Sequence, residues 1–316
     1  MYKLKFSGIA VALSNLFLFL ILISPIGCST APQPAAPNTV SASLPSYVAG
    51  TTYVYSNGSW ETVAAITPQL VTWQDHRGNV NNRYPDFTYR SVHWKTRTRE
   101  GSRRFGTFSY YFVKGNNSLW PLKKGNVSSF KEIVTSSKIG GPEKSYEVNW
   151  ACEVIGTERV AVMAGEFDTW KIACKRYNNF QEPSKARIRE IRTWYYSPDI
   201  KHYVLTQRHY TSRKAALRLE LLAVLPSQNR LSGVTRFQMN QAFQVALENK
   251  KSGESAGWSI PDTSWSGQIT PTRTFRLADG RYSRRYIQKV NHPDGQRSYP
   301  GLAVRNSSGM WVVPRR

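Results

Sequence analysis

Residues 150–174 read WACEVIGTERVAVMAGEFDTWKIAC, and this stretch decides the fold. Alternating runs of apolar and polar residues are separated by small-residue breaks, the pattern of strands that bury one face. A strand through Trp150 and Cys152 leads to a turn at Ile155-Gly156. A second strand, Arg159-Val160-Ala161-Val162, ends at an Ala164-Gly165 turn, and a third runs from Phe167 to Cys174. Short links of this kind join antiparallel neighbours, because parallel strands need a long crossover.

The pattern repeats in both directions. Asn57-Gly58 lies between Thr52-Tyr53-Val54-Tyr55 and Trp60-Glu61-Thr62-Val63, a strong hairpin signal. Further strands are expected over residues 187–196, 202–211 and 216–225. Residues 46–226 therefore read as an antiparallel meander or half-barrel domain. Beyond Ser227-Gln228-Asn229, Met239, Ala242-Phe243 and Ala246-Leu247 recur at helical spacing, and Gly253 offers a stop. Four strand candidates follow, over 268–276, 282–290, 297–305 and 310–313, with turns at Ala278-Asp279-Gly280, Pro293-Asp294-Gly295 and Ser307-Ser308-Gly309. Residues 227–316 read as a small α+β domain, one helix on a four-stranded antiparallel sheet. The fold class is mainly β, in keeping with 10 Trp, 17 Tyr and 13% aromatic residues.

At the other end, Lys3 and Lys5 precede an apolar run from Ile9 to Ile23, and Ser24-Pro25-Ile26-Gly27 leads into Cys28. That order describes a secretory signal over residues 1–27. With Cys28 directly after the cut, it resembles the lipobox of bacterial lipoproteins, except that Pro25 stands where the family has Leu. The resemblance implies a diacylglycerol on the Cys28 thiol and a lipid anchor in the membrane, and Ser29 implies sorting to the outer membrane. An uncleaved anchor helix is the other reading of the same apolar run. Residues 28–45, rich in Pro, Ala, Ser and Thr and free of charge, read as a tether.

The chain carries 43 Lys+Arg against 20 Asp+Glu, a net +23, of which +21 remains without Lys3 and Lys5. Such a charge attracts polyanions. Export points away from nucleic acid and toward lipopolysaccharide, peptidoglycan or acidic lipids. Once Cys28 is set aside, Cys152 and Cys174 are left of the three cysteines, and an oxidising compartment favours a disulfide between them. Two cysteines without nearby histidines do not complete a metal site, and no cofactor motif is present.

The 150–174 stretch and the later Trp194-Tyr195-Tyr196-Ser197-Pro198 resemble bacterial periplasmic β domains of the DUF3108 type, related in shape to half-barrel lipoprotein carriers. Gly156, Glu158, Gly165, Phe167 and Trp194 carry that likeness. The C-terminal region resembles the rickettsial-type 17 kDa surface antigens, through Ala246-Leu247-Glu248, Trp258-Ser259-Ile260-Pro261, Gly267-Gln268-Ile269-Thr270-Pro271, Gly280, Arg284, Tyr286, Arg305, Gly309 and Trp311. Two departures stand out. The family's paired cysteines fall at Ser283 and Val304, and its glutamate falls at Arg285. This second resemblance implies an outer-membrane lipoprotein and not an enzyme, with Arg284 and Arg305 bracing the fold.

Catalytic constellations are sparse. There is no H-E-x-x-H or P-loop motif. The histidines are His76, His93, His202, His209 and His292; Asp199 near His202 is a weak acid–base pair, and Glu158 and Glu166 read as loop braces. Basic residues give the better candidates. Lys95, Arg97 and Arg99 share one face of a strand, as do Arg281, Arg285 and Lys289, and such rows suit phosphate or carboxylate ligands. A solvated outer face fits the same spacing. The expectation is a non-catalytic envelope binding or scaffolding lipoprotein. The alternatives are a carrier of an apolar or acyl ligand in the first β domain and an envelope glycan-modifying enzyme.

Overall fold

The computed structural model describes residues 41–89, 92–95, 107–113, 118–137, 142, 144–178, 187–212, 215–228, 231–261, 263, 265–292 and 295–315. Cys28, the signal, most of the tether, Arg97 and Arg99 lie outside the described residues.

Twelve strands come first: β1 (Thr52–Tyr55), β2 (Trp60–Ile66), β3 (Val71–Asp75), β4 (Val80–Arg83), β5 (His93–Lys95), β6 (Thr107–Val113), β7 (Val127–Ser137), β8 (Lys144–Val162), β9 (Gly165–Asn178), β10 (Arg187–Ser197), β11 (His202–Tyr210) and β12 (Leu217–Leu225). Each pairs antiparallel with the next. The meander then returns to its start. β12 pairs with β11 through Leu217–Glu220 and with β1 through Leu221–Leu225, so the hydrogen-bonded order closes on itself. Closure removes the exposed edges that an open sheet of this size would present.

The first hairpin turns at Asn57-Gly58 as its sequence demands. Gly58 adopts φ +79° and donates its N–H to the Tyr55 carbonyl, and the Asn57 side chain accepts from Ser59. The β8–β9 hairpin turns at Met163-Ala164, with Gly165 at φ +154°. The expected turn at Ile155-Gly156 is instead a β-bulge. β8 runs unbroken through it, with Val154 opposite Ile172 and Gly156 opposite Lys171. Ile155 is the extra residue, and Gly156 supplies the φ of +142° that the bulge requires.

The period of two places one face of each strand inward. Phe130 faces Trp150, Cys152 faces Cys174, Arg192 faces Cys174 and Trp194 faces Ile172. The apolar side chains among these, with Tyr196 and with Leu119 and Leu122 from the segment between β6 and β7, form one buried cluster. Phe87, from the segment between β4 and β5, packs against Trp194, Tyr196 and Tyr203 at centroid distances of 6.1, 5.7 and 5.5 Å. A disulfide joins Cys152 to Cys174 within this core.

The C-terminal part is a helix, α1 (Gly233–Asn249), and five antiparallel strands, β13 (Ala256–Ser259), β14 (Ser266–Arg276), β15 (Tyr282–His292), β16 (Gly295–Arg305) and β17 (Trp311–Val312). The sheet thus has a strand more than its sequence suggests. β13 is four residues long, too short for its alternation to register. Ser232 caps α1 by accepting from the Thr235 N–H at 3.1 Å. At the far end Arg284 donates to the carbonyls of Leu247 and Lys250 at 2.6 and 2.8 Å, satisfying groups the helix leaves unpaired. Met239, Ala242, Ala246 and Leu247 face the sheet and share a buried cluster with Tyr53, Trp73 and Leu221 of the ring. Two further links join the parts: Ala223 of β12 pairs with Gly301 of β16, and Arg285 donates to the carbonyls of Met163 and Val162 at 3.0 and 2.8 Å.

Candidate functional site

Ionisable and aromatic side chains converge on the inner face of the ring, in a cleft of about 570 Å³ between the β1–β4 and β10–β12 walls. Register explains the convergence. Tyr53 pairs with Glu61, Glu61 with Asp75 and Val71 with Arg83, so one wall presents Tyr55, Glu61, Asp75 and Arg83 on one face. On the other wall Glu190, Arg192 and Trp194 alternate along β10, opposite Tyr210, Arg208 and Thr206 of β11.

The first wall centres on Glu61, only 7% exposed. Tyr55 donates to its Oε1 at 2.6 Å and Tyr203 at 3.3 Å, while Arg83 holds Oε2 at 2.8 Å and lies over the Trp73 ring. Burial works against the Arg83 charge, and the Glu61 carboxylate more than offsets it, raising the guanidinium's pKa. Burial first, then Glu61, keeps Tyr55 and Tyr203 protonated. Behind them His202 is fully buried, with Nε2 3.0 Å from the Tyr55 hydroxyl and Nδ1 3.1 Å from that of Tyr47. Since the Tyr55 proton goes to Glu61, Nε2–H donates to Tyr55, and Nδ1 accepts from Tyr47. Burial, and then Arg83, pushes the imidazole pKa well below its ordinary value, so the ring is neutral.

On the second wall Glu190, 2% exposed, accepts from Arg192 at 2.6 and 3.1 Å and from Arg176 at 3.1 Å. Arg192 is held between Trp150 and Trp194, with its guanidinium carbon 5.1 and 5.5 Å from the ring centroids. Arg208 also lines the cleft. It makes no hydrogen bond or ion pair among the described residues.

Of the residues singled out from sequence, Trp194 lines the cleft and the other described ones lie elsewhere. Lys95 ends β5. Arg281 is exposed and paired with Asp279 at 2.6 Å in the β14–β15 turn. Arg285 is spent on the two carbonyls described above, and Lys289 lines a second cavity, of about 690 Å³, between α1 and β13–β15. There the indole N–H of Trp258 and the Gln238 side-chain oxygen lack partners among the described residues. Glu158 pairs with Lys171 at 3.0 Å, and Gly165 opens β9 beneath the Phe167 ring. Arg305 donates to Gly309 and Glu248, and Trp311 donates its indole N–H to Glu248. The cleft residues Glu61, Arg83, Glu190, Arg192 and Arg208 went unread as a site. The signal was the Glu190-x-Arg192-x-Trp194 alternation, which puts two charges on the face of a core tryptophan.

Residues 245–312 match the family model described as the 17 kDa outer membrane surface antigen. The 17 kDa surface antigen of Rickettsia felis is 40% identical over 70 residues, covering 22% of this chain and 44% of that protein. That of Rickettsia conorii is 39% identical over 70 residues with the same coverage. The chain thus spans less than half the length of these curated relatives. The crystal structure of the hypothetical lipoprotein YmcC from Escherichia coli aligns over 54% of this chain and 82% of its own, at 7% identity and a TM-score of 0.35. From the last turn of α1 through β17, this chain is similar to the 17 kDa surface antigens.

Proposed function

We propose that this protein is an outer-membrane lipoprotein, anchored through acyl chains on Cys28, whose β structure binds or scaffolds envelope components without catalysing a reaction. Residues 46–226 would form a DUF3108-type β domain and 227–316 a surface-antigen-like domain. Location is supported by the likeness of residues 245–312 to an outer membrane surface antigen and by the signal and lipobox pattern. The observation that carries the binding role is the state of the cleft's carboxylates. Glu61 is held by Tyr55, Tyr203 and Arg83, and Glu190 by Arg192 and Arg176. Such locked pairs make a rigid recognition surface and a poor proton shuttle. A carrier of an apolar or acyl ligand is the second reading, favoured by the aromatic floor of Phe87 and Trp194.

The anchor is tested with Cys28→Ala in cells fed radiolabelled palmitate. The parent protein is expected to take up label and sediment with the outer membrane, whereas the variant remains unlabelled and leaves it. Unchanged maturation and fractionation of the variant would remove the lipoprotein reading. Binding is tested by co-sedimentation with peptidoglycan, lipopolysaccharide and anionic vesicles over a salt series. Selective binding to one of them that survives physiological salt supports a dedicated site; loss of all binding reduces it to generic charge.

A further inference from the structure

Within the binding reading, we propose that the cleft is a phosphoryl-binding site with Arg208 as its principal contact. Arg192 and Arg208 are direct cross-strand neighbours on the inner face of β10 and β11. Like charges so placed destabilise a sheet unless something stands between them. Arg192 has its counter-ion in Glu190, which Arg176 shares. Of the described residues that line the cleft from this wall, Arg192 and Arg208 face the one carboxylate of Glu190, leaving one positive charge in excess.

The opposite wall does not supply the missing anion. The Glu61 carboxylate is committed to Arg83. Asp75 accepts from the N–H groups of Arg77 and Asn79 and from the Asn79 side chain, at 2.8–2.9 Å, within its own turn. Arg208 is therefore a half-buried fork of donors in a concave polar site, beside a second guanidinium and without a side-chain acceptor among the described residues. A phosphate monoester is anionic at neutral pH and offers three strong acceptor oxygens on one centre, more than a single carboxylate presents. Its oxygens also suit the planar geometry of an arginine fork. The group can arrive as a lipid headgroup or as a soluble phosphate ester.

The test uses the full chain in detergent, titrated calorimetrically at constant ionic strength. Inorganic phosphate and glycerol 3-phosphate, a soluble stand-in for a phospholipid headgroup, form two arms, with acetate as the control. Phosphoryl binding is expected, acetate binding at least tenfold weaker, and R208Q at least tenfold weaker for phosphate than the parent. Tighter binding of glycerol 3-phosphate would mark a lipid headgroup as the source, and equal binding a soluble phosphate. R208K, which keeps charge but not the fork, is expected to fall between. R281Q, outside the cleft, is expected to bind as the parent does. Removing Arg208 relieves like charge against Arg192, so R208Q without ligand is expected to melt at or above the parent temperature. Equal phosphate affinity in R208Q and parent, equal binding of acetate, or no phosphoryl binding in either arm overturns the site. Each of these leaves the palmitate and fractionation result of Cys28→Ala untouched, so the two proposals fail separately.

Discussion

His202 shows how one buried side chain ties stability to pH. It is 0% exposed and bonded through both ring nitrogens to Tyr47 and Tyr55, and burial depresses its pKa. In the unfolded chain the imidazole takes a proton near pH 6.5. The folded state resists that proton, so the unfolded state binds more protons as pH falls below about 6.5, and stability declines there. The melting temperature is expected to drop between pH 7.5 and 5.5. His202→Gln should melt lower at pH 7.5, by about 1–3 kcal/mol for a broken buried network, yet show a flatter profile across that window. Parallel profiles would disconnect His202 from the effect. Gly301 is a second informative position. A Cβ there would lie 2.5 Å from the Tyr286 hydroxyl and 2.9 Å from the Ala223 Cβ, where β16 meets β12. Gly301→Ala is expected to cost about 1–3 kcal/mol in denaturant unfolding through overpacking.

At the scale of elements, the strands were largely legible because alternation is a local signal. β1, β2, β10, β11, β12, β14, β15 and β16 begin or end within about two residues of their expected bounds. β8 was misread at Ile155-Gly156 because a bulge and a turn use the same residue, a glycine at positive φ. Only the partner strand distinguishes them, by continuing past the site. The pairing of β15 with β16 also makes physical sense of the two positions where the surface antigens have cysteines. Ser283 and Val304 are direct register partners, both buried. Ser283→Cys with Val304→Cys is expected to form a cystine under oxidising conditions and to raise stability by about 3 kcal/mol in a chain-entropy account. Free-thiol titration and a melting curve would check it, and two free thiols in the folded variant would refute it.

For the molecule as a whole, the ring and the C-terminal sheet share a buried cluster, a strand bridge and the Arg285 bonds. The boundary read at 226/227 falls between β12 and α1, and whether it divides folding units is an energetic question. The shared core predicts a single calorimetric transition; two resolved transitions would mean that each part folds alone. Reducing the Cys152–Cys174 disulfide, buried in the ring core, should lower that transition by about 3 kcal/mol of stability.

Some properties needed only the chain. The strand class, the first hairpin, the helix and its amphipathic face and the Cys152–Cys174 pairing each rest on residues close in sequence or on composition. Tertiary structure decided the closing of β12 onto β1 and, with it, the site. Glu61, Arg83, Glu190, Arg192 and Arg208 come from four strands across nearly half of the chain, and alternation tells which face each occupies but not what that face meets. The rows read as anion-binding from sequence illustrate the same limit. Arg285 does lie on β15 where period two puts it, and Arg281 sits in the turn before that strand, yet the carbonyls of Val162 and Met163 and the Asp279 carboxylate take up their donors. A charge is available for a ligand only when folding leaves it without a neighbour, and neighbours are set by pairing across the whole sheet.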